Sequence, residues 1–399
     1  MKVNRLVRRL RHVRRKLTQS LQQKPSQDRH PVLYLCLRFA FSPVRGMSLQ
    51  SNHLPTGCLL SVVQGRIQWL IVGLLGWLSV GCSPSRMLGR QMMKAPNSYP
   101  EWVAPDALVT FALPEAMVRP IPLRSIAVGP PSAHLSYRVI EPADYQLKED
   151  HSTELKGGKT YYHFRYHGVP TPFAEWYPGT VRGTLLVLHG YSVEAETMLP
   201  WAFKLGANGW RSVVPDLRGH GQSSGPKVYF GAVENRDLSQ LLDELERERV
   251  LVPPVVVLGT SFGAALGLKL ATEDSRIAGV VAITPYGRLE TAIMGIRDGY
   301  ASWVPKGWVR AAARRLPELT GVEPGQLDPV QWVQRKPVRA WLAAGTGDAI
   351  APMREVQQLR PFLAPGSDYF QTTNGIHETI PLQVEELSPS VRKWLESIR

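Results

Sequence analysis

The five residues Gly259-Thr260-Ser261-Phe262-Gly263 follow the apolar run Val255-Val256-Val257-Leu258 and precede the small-residue stretch Ala264-Ala265-Leu266-Gly267-Leu268. A buried strand, a very tight turn and a helix directly behind it leave few folds open. A serine at such a corner has its hydroxyl held clear of the backbone. The glycines two places before and after it meet the steric demand of the turn. The chain is thereby constrained to a strand–turn–helix unit carrying an exposed nucleophile, Ser261.

A serine hydroxyl attacks poorly until a base takes its proton, and the base needs a group to orient it. Downstream, Val338-Arg339-Ala340-Trp341-Leu342-Ala343-Ala344 reads as a second buried strand and runs into Gly345-Thr346-Gly347-Asp348. The shorter run Tyr369-Phe370-Gln371-Thr372 leads through Asn374-Gly375-Ile376 to His377. Ser261, Asp348 and His377 each sit on a loop just past a predicted strand, which makes them nucleophile, orienting acid and base. Glu378 and Glu290 stand as alternative acids. Upstream, Thr184-Leu185-Leu186-Val187-Leu188 runs into His189-Gly190-Tyr191. Gly190 lets the main chain turn so that the Tyr191 N–H meets a developing oxyanion, with the Phe262 N–H as second donor. His189, Asp216, Arg218 and His220 read as braces for these loops.

With these residues in place, the stretch from about 181 to 399 resembles α/β-hydrolases of the serine aminopeptidase and monoacylglycerol-lipase-like type. Pro215-Asp216-Leu217-Arg218-Gly219-His220-Gly221-Gln222-Ser223 is similar to the D-x-R-G-H-G-x-S turn of that group. The chain order Ser, Asp, His is also the order of that superfamily. The resemblance implies an α/β-hydrolase fold with a mostly parallel sheet, helices on both faces and a helical cap formed by residues 284–337. It implies a serine hydrolase that cleaves a carboxylic ester, acylglycerol-like or small, through an acyl-enzyme. A serine aminopeptidase or amidase acting on a short peptide is the alternative, with Glu290, Asp298 and Glu318 of the cap as candidate ligands for an amino group. An acyltransferase or a non-catalytic surface binding protein also stays open. No cofactor and no metal is implied.

Local patterning supports the same architecture. Strand-like runs at 135–140 and 161–166 precede the strand ending at His189, and strands then alternate with helices. The clearest helix, 235–248, has Leu238, Leu241, Leu242 and Leu245 on one stripe. Within the cap segment, amphipathic stretches fall at 289–300 and 306–316, and Trp303, Trp308 and Trp332 are candidate pocket residues.

The formal charge of +14 suggests a polyanion partner until it is located. Residues 1–46 hold twelve Lys or Arg against the single acid Asp28, and Arg66 is the only charge between 47 and 81. The remainder is nearly neutral, so a nucleic-acid partner is unsupported. All three cysteines, Cys36, Cys58 and Cys82, precede the hydrolase-like region.

The apolar run from Trp69 to Val80 is short for a membrane span, which needs about 20 residues, and suits the core of an export signal flanked by Arg66. Gly81-Cys82-Ser83 then resembles a bacterial lipoprotein cleavage site, with Cys82 as the lipidated residue. The expectation is an exported, membrane-anchored lipoprotein, in the outer membrane if the cell is Gram-negative, with a retained inner-membrane signal anchor as alternative. Sixty-eight residues before the run are many for a signal peptide. Residues 3–22 read as a basic amphipathic helix, or translation starts later, for instance at Met47. The expected organisation is therefore a basic extension and export signal over 1–81, a Pro-rich tether over 82–132 and an α/β-hydrolase domain over 133–399.

Overall fold

A computed structural model describes residues 83–98, 108–373 and 375–398. All of them belong to the compact unit Gly76–Arg399. The basic extension, the apolar run and Cys82 lie outside the described residues.

The body is built on eight strands: β1 (Arg124–Val128), β2 (Ala133–Ile140), β3 (Gly183–Leu188), β4 (Trp210–Pro215), β5 (Val255–Thr260), β6 (Ile277–Ile283), β7 (Ala340–Gly345) and β8 (Asp368–Thr372). Their order across the sheet is β8-β7-β6-β5-β3-β4-β2-β1. β2 runs antiparallel to both β1 and β4, and every other pairing is parallel. Parallel strands with both faces covered read as continuous apolar runs, and β3, β5 and β7 are buried at every position.

Side chains alternate across the sheet with period two, so each strand feeds two cores. Leu186, Leu188, Val255, Val257, Val280, Ala282 and Leu342 enter one. Leu185, Val187, Val256, Leu258, Val281, Ile283 and Trp341 enter the other. The first is closed by α3 (Glu234–Arg247), through Leu238, Leu241, Leu242 and Leu245, and by α4 (Phe262–Glu273). The second is closed by α2 (Leu199–Gly206) and α9 (Val384–Leu395), through Trp201, Phe203, Leu387 and Trp394. This is the α/β-hydrolase fold. The run at 161–166 does form a strand, but in a separate three-stranded sheet of Val109–Ala112, Lys148–Lys156 and Lys159–His167.

The cap segment holds α5 (Leu289–Tyr300), α6 (Lys306–Ala313), α7 (Leu316–Thr320) and α8 (Pro329–Arg335). Trp332 of α8 is buried against the sheet-covering core, whereas Trp303 and Trp308 face outward. The described part of the proline-rich stretch is largely regular structure. α1 (Pro84–Met92) is capped by Ser83, whose Oγ accepts the Arg86 N–H at 3.3 Å, and Pro84 suits its first turn. Gly89 allows close approach to the cap: a Cβ there would sit 2.7 Å from Leu319 Cδ1 and 3.3 Å from the Ala312 carbonyl oxygen. Beyond the helix, Met93 and Ala95 are buried, and the Met93 carbonyl accepts the Val228 N–H at 2.7 Å. Among the described residues, no helix is long and apolar enough to cross a membrane.

Candidate active site

Ser261 stands between β5 and α4 with φ 50° and ψ −111°, a left-handed backbone conformation that non-glycine residues rarely adopt. The flanking glycines explain why the turn can be so tight. A Cβ at Gly259 would lie 2.4 Å from the Gly263 backbone, and one at Gly263 would lie 2.5 Å from the Leu188 carbonyl oxygen. The strained residue is pinned by its N–H, which donates to the Ile283 carbonyl at 2.8 Å. α4 begins at the next residue, so its positive N-terminal end faces the serine.

Asp348 lies on the loop beyond β7, fully buried at its side chain. Its Oδ1 accepts the N–H groups of Ile350 at 2.9 Å and Ala351 at 2.7 Å. Its Oδ2 lies 2.8 Å from His377 Nδ1, and His377 Nε2 lies 2.7 Å from Ser261 Oγ. A carboxylate only accepts, so Nδ1 carries the proton and Nε2 presents its lone pair to the serine hydroxyl. His377 is 11% exposed at its side chain. The structure thus brings together the three residues that the sequence separates by 116 and 29 positions.

The loop beyond β3, where the Tyr191 N–H is expected to meet an oxyanion, is organised by His189. The Leu217 N–H donates to its Nε2 at 2.9 Å, so Nδ1 must hold the ring proton and donate it to the Gly190 carbonyl at 2.7 Å. Holding that carbonyl fixes the plane of the Gly190–Tyr191 peptide, and in a trans peptide the N–H points opposite to the C=O. The Tyr191 N–H is therefore aimed by a buried histidine. Gly190 is close to Ser261: a Cβ there would be 3.6 Å from Ser261 Cβ. Burial drives the His189 pKa down to about 4, which keeps the ring neutral and its tautomer single. The Phe262 N–H is the first of α4 and has no partner in its own helix.

The remaining motif residues brace this arrangement. Asp216 accepts the Ala195 N–H at 2.8 Å and the Gln222 N–H at 2.9 Å. Arg218 forms a buried two-pronged ion pair with Asp237 at 2.6 and 2.8 Å and reaches the Pro131 carbonyl at 2.8 Å. His220, pushed to about 3 chiefly by burial, packs its ring against His189, Tyr191 and Phe262. Asp237 and the aiming role of His189 are not readable from local spacing, because their partners lie on other elements.

The cap acids are already engaged. Glu290 pairs with Arg310 and Arg314, Asp298 with Arg297 and Lys306, and Glu318 with Arg86 and Arg315. Glu378, next to His377, accepts a hydrogen bond from Tyr300 at the end of α5. Neither alternative acid touches His377 Nδ1, the place Asp348 fills. Cys82 lies outside the described residues. Among those residues, no group of three or more His, Cys, Asp and Glu side chains could hold a metal ion.

Comparison with known proteins bears on the fold and the family likeness. Residues 179–346 match the profile of the Hydrolase_4 family, described as serine aminopeptidase, S33. A monoacylglycerol lipase of Mycolicibacterium smegmatis is 33% identical over 109 residues, covering 25% of this chain and 36% of that protein. An uncharacterized protein of Bacillus subtilis is 24% identical over 136 residues, covering 34% of this chain and 39% of that protein. The chain therefore matches well under half the length of these curated relatives. An esterase of Pyrococcus furiosus superposes over 77% of this chain and 98% of its own, with TM-score 0.52 and 17% identity, a likeness of fold.

Proposed function

We propose that this chain, an α/β-hydrolase by fold and by family match, is a serine hydrolase cleaving carboxylic esters through an acyl-enzyme. The observation that carries the reading is the unbroken relay from Ser261 Oγ to His377 Nε2 at 2.7 Å and from His377 Nδ1 to Asp348 at 2.8 Å. His377 takes the serine proton as Oγ attacks the carbonyl carbon, and Asp348 stabilises the resulting imidazolium. The Tyr191 and Phe262 N–H groups, helped by the α4 dipole, receive the oxyanion. His377 then protonates the leaving alcohol, and water repeats the cycle on the acyl-serine.

The paired cap acids favour an ester over a peptide N-terminus. A substrate ammonium would have to displace an arginine or lysine from Glu290, Asp298 or Glu318 before it gained a counter-charge. The lipase and esterase named among the similar proteins point the same way, while the serine aminopeptidase description keeps amide cleavage as the second reading. The reading extends to location: lipid on Cys82 would hold the enzyme at a membrane, where several acyl chains make release negligible.

A fluorophosphonate probe should label Ser261 in the wild type and fail in Ser261→Ala, whose turnover should fall by about 10⁶. Aryl esters of graded chain length should be cleaved much faster than aminoacyl anilides. Preference for the anilides would replace the ester reading with the peptidase one. Labelling that survives Ser261→Ala would remove the mechanism altogether. Metabolic palmitate label should be lost in Cys82→Ala, and retention of label there would rule out this anchor.

A further inference from the structure

The cap carries two tryptophans on its outside. Trp303, at the corner between α5 and α6, is 84% exposed, and Trp308 in the first turn of α6 is 59% exposed. Indoles are usually well covered in folded proteins because each holds a large apolar area. Helix α6 explains the geometry. Val309, Ala312 and Ala313 turn inward, which leaves Trp308 and Ala311 outward together with the exposed Lys306, Arg310 and Arg314. Helix α1 packs against this element through Gly89 and adds the exposed Met87 and Arg90.

Charge is segregated onto the same elements. Residues 84–94 and 301–316 contain seven Lys or Arg and no Asp or Glu. Everything after residue 82 sums to only +2, so the rest of the hydrolase is net acidic. Glu290, Asp298 and Glu318 pair with five of these seven cations, Arg86, Lys306, Arg310, Arg314 and Arg315, and because three acids face seven cations the face keeps a net positive charge. Outward indoles set among lysines and arginines match the chemistry of a bilayer interface. Rings sit there at the level of the headgroups, and cations meet anionic lipid.

The chain path points to the same side. Helix α1 starts at Pro84, four residues after the apolar run 69–80 ends. Four residues reach at most about 14 Å. If that run or a lipid on Cys82 enters a bilayer, α1 and the α6 it packs on are held at its surface. Helix α5 then links the face to the site, because Tyr300 at its end bonds Glu378, the neighbour of His377.

From these observations we infer that the α1–α6 face of the cap, with Trp303 and Trp308 as its anchors, docks on an anionic phospholipid surface. Docking does not depend on the ester chemistry proposed above. It would nevertheless place the mouth of the site where membrane-resident substrates are presented.

The test uses the full chain, reconstituted from detergent into phosphatidylcholine vesicles with and without phosphatidylglycerol. To separate any contribution of the N-terminal region, the readout is the emission difference between wild type and the Trp303→Phe/Trp308→Phe double variant. That difference isolates the two indoles. In anionic vesicles it should be blue-shifted and quenched several-fold by brominated lipid, and in phosphatidylcholine alone the quenching should be much weaker. A Trp303→Ser/Trp308→Ser variant should cleave a soluble short-chain aryl ester as the wild type does, yet turn over a vesicle-embedded ester at least tenfold more slowly. An emission difference that stays water-like and unquenched in anionic vesicles would overturn the inference. So would indoles that become protected as protein concentration rises without lipid, which would assign the face to a second copy of the chain. The fluorescence arm does not involve Ser261, so docking and ester cleavage can fail independently.

Discussion

Replacing Asp348 by Asn tests the relay at its least exposed point. Oδ1 of Asp348 is held by two main-chain donors, Ile350 N–H at 2.9 Å and Ala351 N–H at 2.7 Å. In the variant the amide oxygen keeps that place, so the NH₂ group falls 2.8 Å from His377 Nδ1, where Oδ2 was. A donor facing Nδ1 forces the opposite tautomer, with the proton on Nε2 aimed at Ser261 and no lone pair to receive one. Recovering the base requires flipping the amide, which sets NH₂ against two buried N–H donors at a cost of about 2–3 kcal/mol each. A total of about 4–6 kcal/mol corresponds to a loss of roughly 10³–10⁴ in kcat, in line with about 10⁴ for the same exchange in a dissected serine protease. Pre-steady-state hydrolysis of an aryl ester at neutral pH should show that loss in the acylation step, with KM little changed. The melting temperature should hold, because both loop donors keep their acceptor. A loss under tenfold in a variant of unchanged stability would refute the argument and transfer the acid role away from Asp348.

Three further outcomes follow from the geometry. Gly263→Ala must move the Leu188 and His189 carbonyls, since its Cβ would lie 2.5 and 2.6 Å from them; overpacking of this kind should lower the melting temperature by roughly 3–10 °C, and calorimetry showing no change would contradict the crowding. For His189, an Asn amide can still donate to the Gly190 carbonyl whereas a Gln amide can still accept from Leu217, so kcat should survive better in His189→Asn than in His189→Gln. The Gln variant should fall by about 10² at constant KM, and equal losses would show that the histidine does not aim the oxyanion donor. His189 and His220 have folded pKa values of about 4 and about 3, below the unfolded value, so their contribution is complete above about pH 6.5 and is lost as pH falls toward 4 and 3. Urea midpoints should therefore decline with acidification across that window, and His220→Gln should show a shallower slope; an unchanged slope would remove His220 from the acid sensitivity.

Much of this site was legible because its signals are local. The turn at Ser261 announces itself through glycines two residues away, and β3, β5 and β7 are predominantly apolar and buried at every position because both of their faces are covered. The helical stretch expected at 289–300 forms over those residues, and the one expected at 306–316 divides into α6 and α7. What stayed hidden depends on tertiary partners. The alternating run at 161–166 looks like any half-buried strand, and only its pairing with Val109–Ala112 and Lys148–Lys156 removes it from the main sheet. The cap acids looked available because spacing alone does not say which of the neighbouring cations, such as Arg297 beside Asp298 or Arg315 three residues before Glu318, fold back onto them, and Arg86 reaches Glu318 from 232 positions away. Trp303 and Trp308 looked like pocket residues, since apolar content alone does not say which face of α6 is inward. The prolines at 84 and 96 suggested irregular chain, yet each opens a short helix in which a missing N–H costs nothing.

The order of strands across the sheet has a consequence for the chain as it is made. Ser261 rises from β5 at the middle of the sheet, whereas His377 comes from the loop beyond β8, the last strand in sequence and an outer one in space. A ribosome-bound chain can assemble the serine turn, the oxyanion loop and most of both cores while the base is still missing. Under the mechanism proposed above, such a nascent chain is chemically silent: it holds Ser261 but has nothing to deprotonate it. Competence arrives in one step, when β8 adds to β7 and swings the imidazole over the serine.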